Sequence, residues 1–511
     1  MYPAEGLISN MHGCYAPFGV QGNRLARPHH RGVGRRLDDG RPRYASDPVS
    51  QPPRRGGVVW KVVVAVSSKS HIAPLSGFPE WLPEQRMVEQ QLLDRIRRLA
   101  ELYGFVPLET RAVEPLEHLV HQGETSKEIY TIGRLQGDDE GPGGLGLHFD
   151  LTVPLARYVR QFRGHLRFPF KRYQIQKVWR GERPQEGRYR EFYQADLDVV
   201  DDGELSLHFD AEMPAIMHEL LATLPVPRAT VLVSNRRILD GFGAGLGRDD
   251  TTEIVRALDK LDKVGPAAVR ELLCDRVGMD DAEADRWLGL AAVRTPDTGF
   301  VDQVTALGVA DDVLTRGLDE LASVVAAASA LPRGSVLADL HIARGLDYYT
   351  GTVYESTIEG HADLGSICSG GRYDDLASGD GYALPGVGIS VGVSRLLGRF
   401  LGGGAIAASR ATPTCVLVAL VAEETRDASA AIARDLRARD IPAEVFHEPL
   451  RYGKQIRHAD RRGIPFVWFP AHGEADGDSV RDLRSGEQVP ADATTWTPPT
   501  ADLYPTIETV D

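Results

Sequence analysis

The sequence predicts an α+β core, an antiparallel sheet flanked by helices, with a helical insertion and a C-terminal α/β domain. Three observations carry this expectation. Residues 171–198 read as two strands joined by a charged loop. Residues 249–331 keep a helical apolar spacing. Beyond residue 411, strands and helices alternate as in small α/β domains.

The N-terminal stretch differs from the rest. Residues 1–57 hold nine arginines, no lysine and many Pro and Gly without a sustained period. Such a composition cannot bury enough apolar surface to offset ordering, so 1–70 is expected to be a disordered extension. It reads as an RNA-binding arm, a transit peptide, or translation assigned from too early a start codon. Asp38, Asp39 and scarce serine count against the transit peptide, and the early start is preferred. The apolar run 58–66 is broken by Lys61 and is shorter than the ~20 residues a membrane span needs.

A helix is expected from Pro83, with Val88, Leu92, Ile96, Leu99 and Tyr103 on one stripe and Gly104 ending it. A strand over 105–115 follows. Residues 147–153 alternate and are bounded by glycines and Pro154, which predicts a short strand presenting Asp150 and Thr152 about 7 Å apart. These two offer oxygen acceptors, or form an ordinary exposed face.

On the second strand of 171–198, Arg190, Phe192, Gln194, Asp196 and Asp198 share one face. Gln174, Gln176, Arg180 and Glu182 share a parity on the first strand and its loop. Such a face is either a solvated hairpin surface or a binding floor. Guanidinium suits phosphate, a Phe ring suits a flat ring, and carboxylates suit an amine or imidazole. Residues 229–241 read as strand then helix. In 336–356 the chain returns to the sheet. There Arg344 stands in a neutral stretch before Tyr348 and Tyr349, either a fixed cation or a partner for Asp347. A Gly pair precedes Tyr373 and lets backbone approach a ligand closely. Val387, Ile389 and Val391 alternate into a helix near Gly392, whose first turn holds Arg395. A cation there opposes the helix dipole, which favours a functional reason for it.

Residues 400–414 read as a Gly/Ala-rich linker. After it come strand, helix, strand, helix and strand, the second helix carrying Lys454, Arg457, Arg461 and Arg462 as a nucleic-acid contact or as solvated charge. A net charge of −14 argues against a nucleic-acid coat over the whole surface but not against a local basic track. Four scattered cysteines show no zinc or disulfide spacing, which fits a reduced cytosol.

Taken together, WRGERP and GRYREFYQ in 179–194, RGLDYYTG (344–351), SGGRYDDL (369–376) and PGVGISVGVSRLL (385–397) resemble the motifs of histidyl-tRNA synthetases, members of the class II aminoacyl-tRNA synthetases. The resemblance runs from about residue 75 to 488. It implies a catalytic core at 71–245 and 332–402, an insertion domain at 246–331 over the tRNA acceptor arm, and an anticodon-binding domain at 411–499. The helix and strand before Pro115 resemble the motif that forms the dimer interface. The implied reaction joins L-histidine to tRNA(His) with ATP and its Mg²⁺, in a cytoplasmic homodimer without zinc.

The resemblance also implies residue roles. Arg180 and Arg344 are implied to be catalytic. Arg180, Glu182, Arg190, Phe192 and Arg395 are placed on ATP, with Phe192 and Arg395 sandwiching the adenine. Asp150, Thr152, Gln194, Asp198, Arg344, Tyr348, Tyr349 and Tyr373 are placed on histidine. Gln185, Arg188, Lys454 and Arg457 are placed on tRNA. Ser394 departs from the family's usual Glu, and Asp198 stands where some relatives have Glu. Two rival readings share parts of this pattern, a non-enzymatic regulatory subunit of ATP phosphoribosyltransferase and a synthetase for threonine or proline. The Tyr-rich motifs and the C-terminal domain argue against them.

Overall fold

A computed structural model of the chain describes residues 73–120, 127–135, 144–185, 187–342, 348–379, 381–471 and 477–510. The chain parts into residues 1–71 and 72–511, and the extension expected to be disordered lies outside the described residues.

Helix α1 (Pro83–Leu102) forms as its periodicity predicts. Pro83 takes the first position, where a missing N–H costs nothing, and Gly104 at φ 79° supplies the left-handed turn beyond the end. The single strand expected over 105–115 is instead two. β1 (Val106–Pro107) and β2 (Val113–Pro115) belong to different sheets, since Pro107 brings no N–H to extend a ladder. After α2 (Leu116–Leu119), β3 (Thr131–Ile132) and β4 (Leu145–Leu147) join β2 in a small sheet of order β2-β4-β3.

The strand expected through 147–153 stops at Leu147, and α3 (Thr152–Phe162) begins at Thr152. Asp150 Oδ1 accepts from the Val153 N–H at 3.1 Å, satisfying a donor that the helix start leaves open. Pro154 falls in the first turn, where no N–H is needed, so it marks the start of a helix and not the end of a strand.

β5 (Phe170–Trp179) and β6 (Glu191–Val200) are the antiparallel pair read from 171–198. Their register sets Arg172 opposite Asp198, Gln174 opposite Asp196 and Gln176 opposite Gln194. Next come α4 (Leu207–Thr223), β7 (Ala229–Asn235) and α5 (Arg236–Gly245). Five helices, α6 (Thr252–Leu258), α7 (Leu261–Leu272), α8 (Asp281–Ala291), α9 (Phe300–Thr305) and α10 (Asp312–Ala327), carry most of the next stretch. It also contributes a strand, β8 (Arg294–Thr295), paired with β9 (Val336–Asp339), and its Leu258, Trp287 and Leu321 join the core of the sheet.

β10 (Thr352–Ile358), β11 (Cys368–Tyr373) and β12 (Gly386–Gly392) complete a nine-stranded sheet of order β1-β5-β6-β12-β11-β10-β7-β9-β8. It is antiparallel from β5 through to β7, with parallel pairs β1–β5 and β7–β9. α11 (Val393–Leu396) follows β12 directly. Strand alternation then divides the sheet. Ala195, Leu197, Val199, Val387, Ile389 and Val391 are buried in one core with α1 and α4, the larger of them each contributing roughly 1.5–3 kcal/mol. The other face carries Gln194, Asp196, Asp198, Gly388 and Ser390.

The expected linker 400–414 contains β13 (Ile406–Ala408). Beyond it lie β14 (Val416–Val418), α12 (Arg426–Arg437), β15 (Ala443–Val445), α13 (Tyr452–Arg461), β16 (Phe466–Phe469), β17 (Ser479–Asp482) and β18 (Gln488–Pro490), with sheet order β15-β14-β16-β17-β18. The first three strands are parallel, as the alternation predicts; β17 and β18 were not expected and extend the sheet antiparallel. Val416 and Val418 sit in one apolar cluster and Leu417 in another, so β14 is buried on both faces. The last strand, β19 (Ile507–Thr509), leaves this sheet and pairs with β13, where Ile406, Ala408 and Ile507 pack on the main core.

Candidate active site

A cavity of about 330 Å³ opens on the polar face of the nine-stranded sheet. Asp150 and Thr152 reach it from the start of α3. The β5–β6 hairpin supplies Arg180, Glu182, Arg188, Phe192 and Gln194. Tyr348 and Tyr349 precede β10, Glu355 lies on it, Ser390 comes from β12 and Arg395 from α11.

One end is cationic. Arg180 Nε donates to the Phe149 carbonyl at 3.2 Å, and its guanidinium lies over the rings of Phe149 at 4.2 Å and Phe192 at 5.2 Å. Glu182 lies 3.9 Å from Arg180 and 3.6 Å from Arg188. Arg395 Nη1 donates to the Ser366 carbonyl at 2.6 Å, and burial, then Arg188 and Arg180, push its pKa down. Three guanidiniums around one carboxylate leave net positive charge, which suits a polyphosphate. Ser394 is buried and accepts from the Tyr193 N–H at 3.0 Å, tying α11 to β6.

The other end is acidic and aromatic. Gln194 Nε2 donates to Ser390 Oγ at 2.7 Å, while its Oε1 has no hydrogen-bond partner among the described residues. Tyr348 packs edge-on against Tyr349 at 5.0 Å and Tyr373 at 6.1 Å. Asp198 is buried, pairs with Arg172 at 2.8 Å and accepts from Tyr373 Oη at 2.8 Å. Burial pushes the Asp196 carboxyl up to about 7, against the opposing pull of Arg172.

Glycines make this packing possible. A Cβ at Gly388 would stand 2.1 Å from Asp198 Oδ1, and one at Gly386 would stand 2.3 Å from the Tyr373 ring. A Cβ at Gly371 would meet the Tyr349 ring at 2.9 Å. The Gly pair before Tyr373 therefore admits a tyrosine ring and a neighbouring strand, and Gly370 also lines the cavity, where the sequence suggested a ligand.

Of the residues predicted for the site, Asp150, Thr152, Arg180, Glu182, Phe192, Gln194, Tyr348, Tyr349 and Arg395 line the cavity. Arg188, expected on tRNA, lines it too, while Gln185 sits in a bridge with it and off the cavity wall. Arg190 is off the wall as well: its Nε donates to the Glu182 carbonyl at 3.1 Å, and its side chain packs on Gly77. Asp198 and Tyr373 lie beneath the wall, engaged with each other. Arg344 lies outside the described residues. Lys454 and Arg457 are exposed on α13 with Arg461, but Arg462 pairs with Glu444 and leaves the basic track.

Sequence reading missed Glu355, Ser390 and Arg172. Ser390 stands opposite Asp196 in the β6–β12 register, a signal available only once those strands are paired. Arg172 shares the parity of Gln174 and Gln176 on β5.

Residues 77–396 match the family model described as Histidyl-tRNA synthetase, and residues 414–494 match one described as Anticodon binding domain. The chain belongs to the histidyl-tRNA synthetase family. Curated relatives named Histidine--tRNA ligase agree. The one from Cutibacterium acnes is 52% identical over 447 residues, 85% of this chain and 98% of its own. The one from Thermobifida fusca is 53% identical over 426 residues, 83% of this chain and 97% of its own. A solved histidyl-tRNA synthetase from Nostoc sp. PCC 7120 superposes with a TM-score of 0.74 at 36% identity, covering 82% of this chain and 97% of that one. The residues before 77, including the arginine-rich extension, fall outside both family matches.

Proposed function

We propose that the cavity holds ATP and histidine end to end along β6. Arg180, Glu182, Phe192 and Arg395 meet the nucleotide, and Asp150, Thr152, Gln194, Tyr348 and Tyr349 meet the amino acid. The overall reaction is that of a histidine–tRNA ligase: L-histidine and ATP give histidyl-adenylate and pyrophosphate, and histidine is then transferred to tRNA(His). The observation that carries the site assignment is the charge gradient along one strand. Phe192 lies at the cationic end and Asp198 at the acidic end, roughly 20 Å apart at ~3.4 Å per residue, the scale of an aminoacyl-adenylate.

In the first step a histidine carboxylate oxygen bonds to the α-phosphorus, and the bond from that phosphorus to the bridging oxygen breaks, releasing pyrophosphate. Arg180 neutralises charge gathering on the α-phosphate, and positioning supplies much of the rest. Arg344 is assigned the same task at the reacting carboxylate, on its sequence motif. In the second step the terminal tRNA hydroxyl bonds to the activated carbonyl carbon, and AMP departs. Mg²⁺ bound with ATP would supply charge neutralisation on its phosphates. Glu182 and Glu355, hard oxygen donors on the cavity wall, are the side chains that would help hold it.

The anticodon-binding domain implies tRNA as a partner, with Lys454 and Arg457 contacting its backbone and Arg188 and Gln185 facing its acceptor end. The helical stretch at 246–331, between core segments 71–245 and 332–402, is read as the acceptor-arm clamp. A homodimer is supported by exposed apolar side chains at the end of α1, on β1 and on the small sheet. Leu102, Val106, Ile132 and Leu145 are 38–73% exposed. Substrates that are all aqueous support a cytoplasmic location. The test is ATP–pyrophosphate exchange with each of the twenty amino acids. Exchange with histidine alone, dependent on Mg²⁺, is expected; exchange with threonine or proline, or none, overturns the reading.

A further inference from the structure

Arg172 is the only arginine among the largest fully buried side chains of the described residues, 0% exposed on the polar face of the sheet. Burying a guanidinium is costly unless its partners are well placed. Its Nη2 meets two groups at once: Asp198 Oδ2 at 2.8 Å and the Leu151 carbonyl at 3.3 Å. Leu151 lies between Asp150 and Thr152, both on the cavity wall. Asp198 in turn accepts from Tyr373 Oη at 2.8 Å, and Tyr373 packs edge-on against the wall residue Tyr348 at 6.1 Å. One nitrogen thus joins the turn that carries Asp150 and Thr152 to the carboxylate that anchors the tyrosine wall.

We propose that Arg172 is a positioning residue for histidine, fixing the spacing between the Asp150–Thr152 turn and the Asp198–Tyr373–Tyr348 wall. It does not line the cavity, so it acts through the groups it holds. The alternative role is purely structural, as a counter-charge buried with Asp198. The two roles differ in what they affect. A positioning role falls on the amino-acid end and spares the nucleotide end, whose Arg180, Glu182 and Arg395 make no contact with Arg172. A structural role lowers stability and weakens both ends together. The inference rests on the reading that this end of the cavity takes histidine.

The experiment is a double-mutant cycle on the full chain, with Arg172→Met, Asp198→Asn and the pair, read by histidine-dependent ATP–pyrophosphate exchange. Arg172→Met is expected to raise the KM for histidine at least tenfold and leave the KM for ATP within twofold. The double variant is expected to be no worse than the poorer single one, because both changes act through one carboxylate. A folded Arg172→Met protein with an unchanged histidine KM overturns the proposal. So does a parallel rise in both KM values, or effects that multiply in the double variant. If Arg172→Met does not fold, Arg172→Lys decides. It keeps the charge but not the planar fork, and the histidine KM should rise at least threefold with ATP unaffected; no change overturns the proposal. Absence of histidine exchange in the unaltered protein would instead remove the functional reading itself.

Discussion

Asp198 leans across its neighbouring strand onto Gly388, where an added Cβ would stand 2.1 Å from Oδ1. The two residues are register partners on β6 and β12, so the missing side chain on one strand is the space that the carboxylate of the other occupies. Gly388→Ala should therefore push Asp198 off Tyr373 and Arg172. We expect the histidine KM in pyrophosphate exchange to rise at least tenfold, with a much smaller change for ATP. An unchanged histidine KM in a folded variant would show that Asp198 has no bearing on the substrate.

Asp196 gives a pH-dependent prediction. It is 1% exposed, and burial pushes its carboxyl up to about 7. Its carboxyl in the unfolded chain titrates near ~3.9. The folded protein thus holds a proton that the unfolded chain releases. The stability from this group is present at low pH and is lost as pH rises from about 4 through about 7. Asp196→Asn removes that slope. The Tm of the variant relative to the unaltered protein should be higher at pH 8 than at pH 5, measured by calorimetry in matched buffers. A difference that is flat or of opposite slope contradicts the assignment.

The C-terminal residues form a strap that should support the core. β19 pairs with β13, Gln91 Nε2 donates to the Pro505 carbonyl at 2.8 Å, and buried Arg410 donates to the carbonyls of Asp502 at 2.8 Å and Leu503 at 2.9 Å. Removing 500–511 leaves Arg410 short of two acceptors and β13 without a partner. We expect a Tm loss of several degrees, at about 4–8 °C per kcal/mol for a small domain and less for a larger one, and a greater loss in tRNA charging than in pyrophosphate exchange. An unchanged Tm would show the strap to be ornamental.

On α13, Lys454, Arg457 and Arg461 are exposed at helical spacing. Replacing Lys454 and Arg457 by Ala should weaken tRNA binding and reduce its salt dependence by roughly one power of salt concentration per phosphate contact. Pyrophosphate exchange should not change, since every proposed ATP and histidine contact precedes residue 402. Filter binding over a salt series, beside exchange assays, checks both halves.

Periodicity was enough to place α1, the β5–β6 hairpin, the buried stripe of β12 and the strand–helix alternation of the C-terminal domain. Each of these is a local pattern of apolar side chains, and burial selects the same face whatever the rest of the chain does. The motifs were enough to name Arg180, Gln194, Tyr348 and Arg395, because they occur as contiguous strings. Local pattern misled at Asp150 and Thr152, where alternation suggested a strand but a capping carboxylate and a first-turn proline start a helix. It misled again at 400–414, where a strand forms only because its partner arrives from residues 507–509. Tertiary structure alone decided that Asp198 and Tyr373 lie beneath the wall, that Gly386 and Gly388 are the space for them, and that Arg172 joins the Asp150–Thr152 turn to Asp198. Those facts depend on cross-strand register and on atoms far apart in sequence, and no single-chain period encodes them.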